Sequence, residues 1–361
     1  ITMFDFLNTW LATGGFWVAV PLIIVGCVAL IKGADFLVDG ASGLAKKYGV
    51  SDIVIGLTVV AFGTSMPEFV VNMVAVGQGS TEIAITNVLG SNIINTFVIL
   101  GCTALIFPIS SQKTTRRFDI PFSMLAALLV LLFAVYNSPS WLQIEHLFNM
   151  NITQPSINDL GSLNLGQGKA GFISGVGGCI LLIFFLIFLW HNFKGIGSAP
   201  QTESNEGYKP MSAKRALALI LGGLVGLVVG GELIVKSATS IAHSLGVSDA
   251  IIGLTVVALG TSLPELATSC MAAFKKNCDI ALGNVIGSNI FNIFFILGTS
   301  ACVKALPGYH GLEIDALMAA LGSVLVMLFV YLTKKHEIKR WHGAILLLTY
   351  AAYLTYRIIT L

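Results

Sequence analysis

Apolar residues fill this chain in runs of about twenty or more, broken by short stretches where charged residues, Asn, Gly, Ser and Pro collect. Ten runs read as membrane-spanning helices, at 16–45, 52–77, 83–108, 118–136, 170–191, 213–243, 249–274, 280–305, 313–333 and 342–360. A helix rises about 1.5 Å per residue and the hydrocarbon layer is about 30 Å thick, so the first and sixth runs are too long to stand upright and should tilt. Residues 1–15, with Phe4, Phe6, Leu7, Trp10 and Leu11, suit an amphipathic lead-in at the interface. Residues 137–169 and 193–212 read as loops. Hydrophobic residues make up 55% of the 361 and charged residues only 11%, too little charge to coat a water-facing surface. The fold class is all-α, a polytopic membrane protein, and a soluble enzyme is excluded.

One stretch occurs twice. Gly56–Gly101 contains GLTVVAFGTSMPEF, ITNVLGSNIIN and ILG; Gly253–Gly298 contains GLTVVALGTSLPEL, LGNVIGSNIFN and ILG. The landmarks pair at a constant offset of 197 residues, Glu68 with Glu265 and Asn92 with Asn289 among them. This is an internal repeat. It divides the chain into 1–192, with the first copy in about 33–101, a linker 193–212, and 213–361, with the second copy in about 230–298. Five runs per half is an odd number, so the second half should enter the membrane upside down relative to the first, an arrangement found in transporters. Basic residues also alternate. Lys46, Lys47, Lys113, Arg116, Arg117, Lys194, Lys209, Lys214, Arg215, Lys275, Lys276, Lys334, Lys335, Lys339 and Arg340 fall on one side, and Lys169, Lys304 and Arg357 on the other. The positive-inside rule puts the richer side in the cytoplasm and both termini outside.

Each copy carries a carboxylate directly after a proline: Glu68 after Pro67, and Glu265 after Pro264. Proline has no N–H and clashes with the carbonyl four residues back, so a kink or break is expected that frees the carbonyls of Gly63 and Gly260. In hydrocarbon, such groups are tolerated only where protein or water satisfies them. Thr64, Ser65, Thr261 and Ser262 supply hydroxyls beside the break. The NVxGSNxxN segments add Asn87, Ser91 and Asn95, spaced i, i+4 on one helix face, and the second copy repeats them as Asn284, Ser288 and Asn292. Gly90 and Gly287 allow close helix approach, while Thr86 stands where the second copy has Gly283. Polar residues can serve merely as glue between helices, and Thr58 and Thr255 are read that way. That does not explain the two acids. A carboxylate at the bilayer centre costs roughly 2.5–3.5 kcal/mol even on the gentler insertion scale, and neither acid has an intramembrane arginine to pair with. Carbonyl, hydroxyl and carboxylate oxygens suit Na+ or Ca2+.

On these motifs the chain resembles the cation/Ca2+ exchanger superfamily, above all its prokaryotic sodium/calcium exchangers, whose paired α-repeats read GTSxPE then NVxGSNxxN. The resemblance implies four adjoining cation positions between the second, third, seventh and eighth spans. It implies Ca2+ on Glu68, Glu265, Thr64 and Thr261. One Na+ position would use the Ala258 carbonyl, Ser262 and Glu265, and another the Ala61 carbonyl, Ser65 and Glu68. Ser91 and Ser288 would complete these two, and Asn95 and Asn292 would border the centre. Some relatives carry Asp where this chain has Asn292, so only two formal negatives remain here and the case for K+ is weaker. The implied activity is exchange of Na+ for Ca2+ by alternating access, with the first and sixth spans sliding together. The transported ions are Na+ and Ca2+, no cofactor is expected, and the setting is a prokaryotic cell membrane.

Other features add less. Asp35 and Glu232 match across the repeat, and local pairs Lys32–Asp35 and Glu232–Lys236 would account for them. The six cysteines, at 27, 102, 179, 270, 278 and 302, read as buried reduced thiols. Residues 1–13 lack the basic start of a cleavable signal peptide, and the sequon at 151–153 reads as chance. No GxxxxGK[ST] or HExxH occurs, so neither a nucleotide, a nucleic acid nor a proteolytic site is expected. Two alternatives remain: a Ca2+/H+ antiporter, since buried glutamates can carry protons, and a cation channel.

Overall fold

The computed structural model describes residues 5–136, 171–194, 211–246, 258–309 and 311–360. The expectations for the loop 137–169, for most of the linker 193–212, and for the seventh span before Ala258 concern residues outside this set. Nearly everything described is helical. The helices are α1 (Asp5–Tyr48), α2 (Asp52–Thr64), α3 (Met66–Gly77), α4 (Thr81–Ile106), α5 (Thr115–Ala134), α6 (Gly175–Lys194), α7 (Ala213–Ser244), α8 (Ala258–Thr261), α9 (Leu263–Phe274), α10 (Cys278–Val303), α11 (Leu312–Leu332) and α12 (Arg340–Thr360). Among the described residues, seven helices are long and apolar enough to cross a membrane alone, and α2 with α3, bent by 45° at the break between them, passes the same test as a pair. The expected boundary of the lead-in falls at Gly15, whose φ of 50° and ψ of −135° interrupt α1.

The two longest helices lie side by side. Gly26, Gly33 and Gly40 of α1 face Gly230, Gly223 and Ala216 of α7 in reverse order, so the pair is antiparallel. A Cβ at Gly33 would sit 2.7 Å from the Leu227 nitrogen and 2.8 Å from the Gly223 carbonyl oxygen, so nothing larger than hydrogen fits. Outward from this seam the helices present Trp17, Ile24, Val28, Leu221 and Val225. Those faces suit hydrocarbon.

The interior is built on α4 and α10. Asn292 donates to Asn92 and Asn289 donates to Thr96, so partners run in opposite order and the helices cross antiparallel. Phe97 and Phe294, equivalent in the two copies, are among the largest fully buried side chains. Gly283 lets α2 lie against α10: a Cβ there would sit 3.0 Å from both the Ile53 oxygen and the Leu57 nitrogen.

Short antiparallel pairings tie the loops at each end: β1 (Ile109–Ser110) with β4 (Glu337–Ile338), and β2 (Gly171–Ile173) with β3 (Leu306–Pro307). β1 and β3 are equivalent segments of the two copies, yet they follow the C-terminal ends of antiparallel helices and so lie at opposite ends. At the β1 end, Lys275 Nζ meets Asp35 and Asp39 at 2.6 Å each, Asn277 donates to Asp52 at 2.8 Å, and Gln112 donates to Asp279. The loops carrying Lys46, Lys113, Lys275 and Lys339 therefore share one end. Two expectations are corrected here. Asp35 pairs with Lys275 of another helix instead of Lys32, because α1 runs past the end of α9; Glu232 does pair with Lys236, at 3.4 Å. Of the cysteines only Cys278 is buried; Cys27, Cys179 and Cys302 are exposed, and the sulfurs of Cys179 and Cys302 lie 3.7 Å apart.

Candidate cation-binding site

Each proline breaks its helix and then starts the next. Ser65 (φ −83°, ψ 5°) separates α2 from α3, and Ser262 (φ −90°, ψ 5°) separates α8 from α9. Pro67 and Pro264 fall in the first turn after the break, where a missing N–H leaves no hydrogen bond unmade. Glu68 and Glu265 therefore occupy helix N-terminal turns, the positive end of the dipole, which favours a carboxylate. Spacing alone did not reveal this. Both acids are 1% exposed.

The two turns meet, and their hydroxyls cross over. Ser65 donates to Glu265 at 3.0 Å, and Thr64 and Ser288 stand beside the same carboxylate. Thr261 and Ser262 stand beside Glu68, and the two carboxylates are close enough to repel. Buried polar atoms with no hydrogen-bond partner include Glu68 Oε2, Glu265 Oε2 and the hydroxyls of Thr261, Ser262 and Ser288 here, and, on α4 and α10, the Ser91 hydroxyl, both amide atoms of Asn95, and Asn292 Oδ1. Thr64 reaches Asn284 Oδ1 at 3.1 Å and the Ala61 carbonyl at 3.3 Å. Ala258 opens α8. Of the residues expected at the site, Glu68, Glu265, Thr64, Ser65, Thr261, Ser262 and Ser288 are thus brought together, with Ala61 held to Thr64. Ser91, Asn95 and Asn292 are buried on the crossing helices α4 and α10.

Buried polar atoms are ordinarily paired, and each orphan costs about 1–3 kcal/mol. Unpaired oxygens beside two like charges are groups that a bound cation would satisfy. The donor set is all hard oxygen, carboxylate and hydroxyl and amide, which fits Na+ and Ca2+ as substrates.

Three features lay beyond sequence reasoning. Wider π-helical turns begin at Ile94 and Phe291, directly before Asn95 and Asn292, so the regular helical spacing changes there. Nothing local in NIINTF or NIFNIF announces them. The amide lattice at the crossing, in which Asn92 donates to the Asn289 carbonyl at 3.2 Å and Asn292 to Asn92 at 3.0 Å, joins residues too distant in the chain to be paired by spacing. Asn72 and Ser269 anchor Asn87 and Asn284 at 2.7 and 2.9 Å. Their equal offset from the acids was the available signal.

The sequence model of the sodium/calcium exchanger protein family matches residues 18–194 and 215–359. The chain belongs to that family. As a family member it is similar to sodium/calcium exchanger MaX1 of Methanosarcina acetivorans, 34% identical over 351 residues that cover 92% of this chain and 96% of MaX1. It is also similar to inner membrane protein YrbG of Escherichia coli, 32% identical over 301 residues, 83% of this chain and 82% of YrbG. Its fold matches the sodium-calcium exchanger NCX_Mj, solved after soaking with Na+ and Sr2+, with a TM-score of 0.73 and 31% identity over 93% of this chain and 97% of that one. Membership supports cation/Ca2+ exchange as the activity, in the setting of a multi-pass membrane protein.

Proposed function

We propose that this family member is a Na+/Ca2+ antiporter of ten spans in two inverted five-helix halves. It would carry Na+ inward and Ca2+ outward by alternating access, with the β1 end in the cytoplasm and both termini outside. The observation that carries this is the group of unpartnered buried oxygens on and beside Glu68 and Glu265. Ca2+ sits between the two carboxylates with Thr64 and Thr261; Na+ takes the flanking positions, with Ser65, Ser262, Ser91, Ser288 and the carbonyls of Ala61 and Ala258, while Asn95 and Asn292 border the centre. Offsetting two buried acids requires positive charge, and one Ca2+ neutralises the pair. The family resemblance implies three Na+ in exchange, which would leave the loaded site with one net positive charge. Transport is then electrogenic and responds to voltage at about 2.3 kcal/mol per 100 mV. The α1/α7 pair, sealed by its glycine seam and exposed on its outer faces, is the body that slides.

The test is flux in proteoliposomes. Ca2+ uptake should require an outward Na+ gradient, should generate a membrane potential, and should vanish when K+ or Li+ replaces Na+. Uptake driven equally by a pH gradient with no Na+ would favour proton coupling through the two glutamates. Conductance far above carrier turnover would favour a channel.

A further inference from the structure

Two thiols meet at the end of the molecule opposite β1. Cys179 lies in the opening turns of α6, Cys302 is next to the last residue of α10, both are exposed, and their sulfurs are 3.7 Å apart. Glycine brings their backbones together. A Cβ at Gly178 would fall 2.7 Å from the Gly298 oxygen and 2.9 Å from the Cys302 nitrogen, so the two helices touch with no side chain between them. Just beyond, β2 pairs with β3 and ties the same two segments of chain. A disulfide holds its sulfurs at about 2.05 Å. Rotation of two short side chains, on backbones already in contact, closes the remaining gap. The other copy repeats the contact without the thiols. There a Cβ at Gly343 would fall 2.6 Å from the Gly101 oxygen and 3.3 Å from the Leu105 nitrogen. Leu105 thus stands where the second copy has Cys302, and Ala344 follows Gly343 as Cys179 follows Gly178. Close helix contact is common to both ends of the fold, and the cysteine pair is an addition at one of them.

We propose that Cys179 and Cys302 are a redox site that closes to a disulfide by exchange with an external small-molecule or protein disulfide. The thiolate of one cysteine attacks a sulfur of that disulfide, forms a mixed disulfide and releases one external thiolate. The other cysteine, after losing its proton, attacks the first cysteine's sulfur, and the second external sulfur leaves as a thiolate. Two electrons pass to the external disulfide, and its two thiolates take up the two protons that the cysteines lose. Such oxidants persist outside the cytoplasm, where the proposed orientation puts this end. The side on which the reaction occurs rests on that reading, while the closure itself rests on the geometry. The bridge would close a loop of 123 residues, a constraint that acts on the unfolded chain. It would also hold α6 against the widened turn that carries Asn292, where Phe184 and Phe185 pack on Phe294 and Phe291 at ring-centroid distances of 5.5 and 4.8 Å.

The test treats the full chain, purified in detergent, with glutathione disulfide, then denatures it and labels the remaining thiols with a maleimide. Two of the six cysteines should escape labelling, peptide mapping should join the segments holding Cys179 and Cys302, and dithiothreitol should restore both thiols. The oxidised protein should melt at a higher temperature than the reduced one. Cys179→Ser should abolish that shift and leave Cys302 trapped as a glutathione adduct; should it fail to fold, Cys302→Ser should trap Cys179 instead. Labelling of all six thiols after oxidation, or a bridge between any other pair, overturns the proposal. The orientation is tested separately, in intact cells exposed to glutathione disulfide. Wild type is compared there with a variant that combines Cys179→Ser with Leu105→Cys and Ala344→Cys. The natural pair should close and the introduced pair should stay reduced. The reverse pattern would overturn the orientation and leave the cysteine pair in place, and closure of neither in cells would overturn the redox role.

Discussion

Replacing Glu265 by Gln keeps the shape of the side chain and removes its charge. The structure sets a lower limit on the effect. Glu265 is 1% exposed, it accepts one hydrogen bond from Ser65 at 3.0 Å, and its Oε2 has no partner. Holding such a carboxylate charged at mid-membrane costs roughly 2.5–3.5 kcal/mol, which the bound cation must offset for the loaded site to exist. Glutamine forgoes at least that much attraction. At 1.4 kcal/mol per factor of ten, Ca2+ affinity should fall by about 60- to 300-fold or more. The unloaded protein should be no less stable, since a neutral amide is easier to bury than an unpaired acid. The assay is thermal unfolding in detergent over a Ca2+ titration, where stabilisation grows as RT ln(1 + [L]/Kd). Wild type should gain stability with Ca2+; Glu265→Gln should melt at the unliganded wild-type temperature or above and need about 60-fold more Ca2+ for the same gain. Unchanged Ca2+ stabilisation in this variant would refute the placement of the ion, and a collapse of the ion-free protein would show that the carboxylate has a structural role instead.

Gly33→Leu should prevent close packing of α1 on α7, because a Cβ already falls 2.7 Å from the Leu227 nitrogen; backbone cannot yield as a side chain can, so a large drop in melting temperature or loss of folded protein is expected on size-exclusion chromatography. Lys275→Ala should lower stability by no more than about 1 kcal/mol, since the Lys275, Asp35 and Asp39 side chains are 21%, 30% and 38% exposed, and the deficit should shrink in concentrated choline chloride. Burial and the neighbouring Asp315 push the Tyr309 hydroxyl well above its ordinary value, and it donates to Asp315 at 2.6 Å. Its neutral form is thus the one favoured by folding, so this contribution is complete below about pH 10 and is lost as the pH climbs above that. Melting curves of Tyr309→Phe should show a smaller alkaline decline than wild type.

Much of the architecture could be read from hydrophobic runs because the bilayer forces each crossing to announce itself as a long apolar segment. The run at 213–243 is the helix Ala213–Ser244, and the run at 280–305 is Cys278–Val303. The two acids were equally legible, since a charge inside such a run has few innocent explanations. What stayed hidden depends on partners far apart in the chain. Nothing near Ser65 indicates that its hydroxyl serves Glu265, 200 residues away, and nothing near Asp35 points to Lys275. The repeat pairs residues by equivalence, whereas the structure pairs them by contact, and the two pairings differ wherever the copies cross. The π-helical turns at Asn95 and Asn292 were invisible for another reason: both regular and widened turns accommodate the same apolar neighbours.

The copies are equivalent in sequence but not in surroundings, and this bears on how access would alternate. Asp279 is 7% exposed and tied to Gln112, while its counterpart Glu82 is exposed; Asn284 is fully buried, while Asn87 is only partly so. Among the described residues the β1 end is therefore the closely packed one, and if the halves are inverted, the opposite state should exchange these environments. The exchange cannot be complete. The close packing depends on Gly283, where a Cβ would fall 3.0 Å from the backbone of α2, and the equivalent position holds Thr86. A helix approaching Thr86 must stand farther off, so closure of the other end should be looser and the present state favoured. Gly283→Thr would make the copies alike at this point and remove that preference. Cysteines introduced near Ser42, at the closely packed end, should then react faster with a membrane-impermeant thiol reagent in the variant than in the parent. Equal rates would mean that the glycine contributes to packing alone and that the bias between states lies elsewhere.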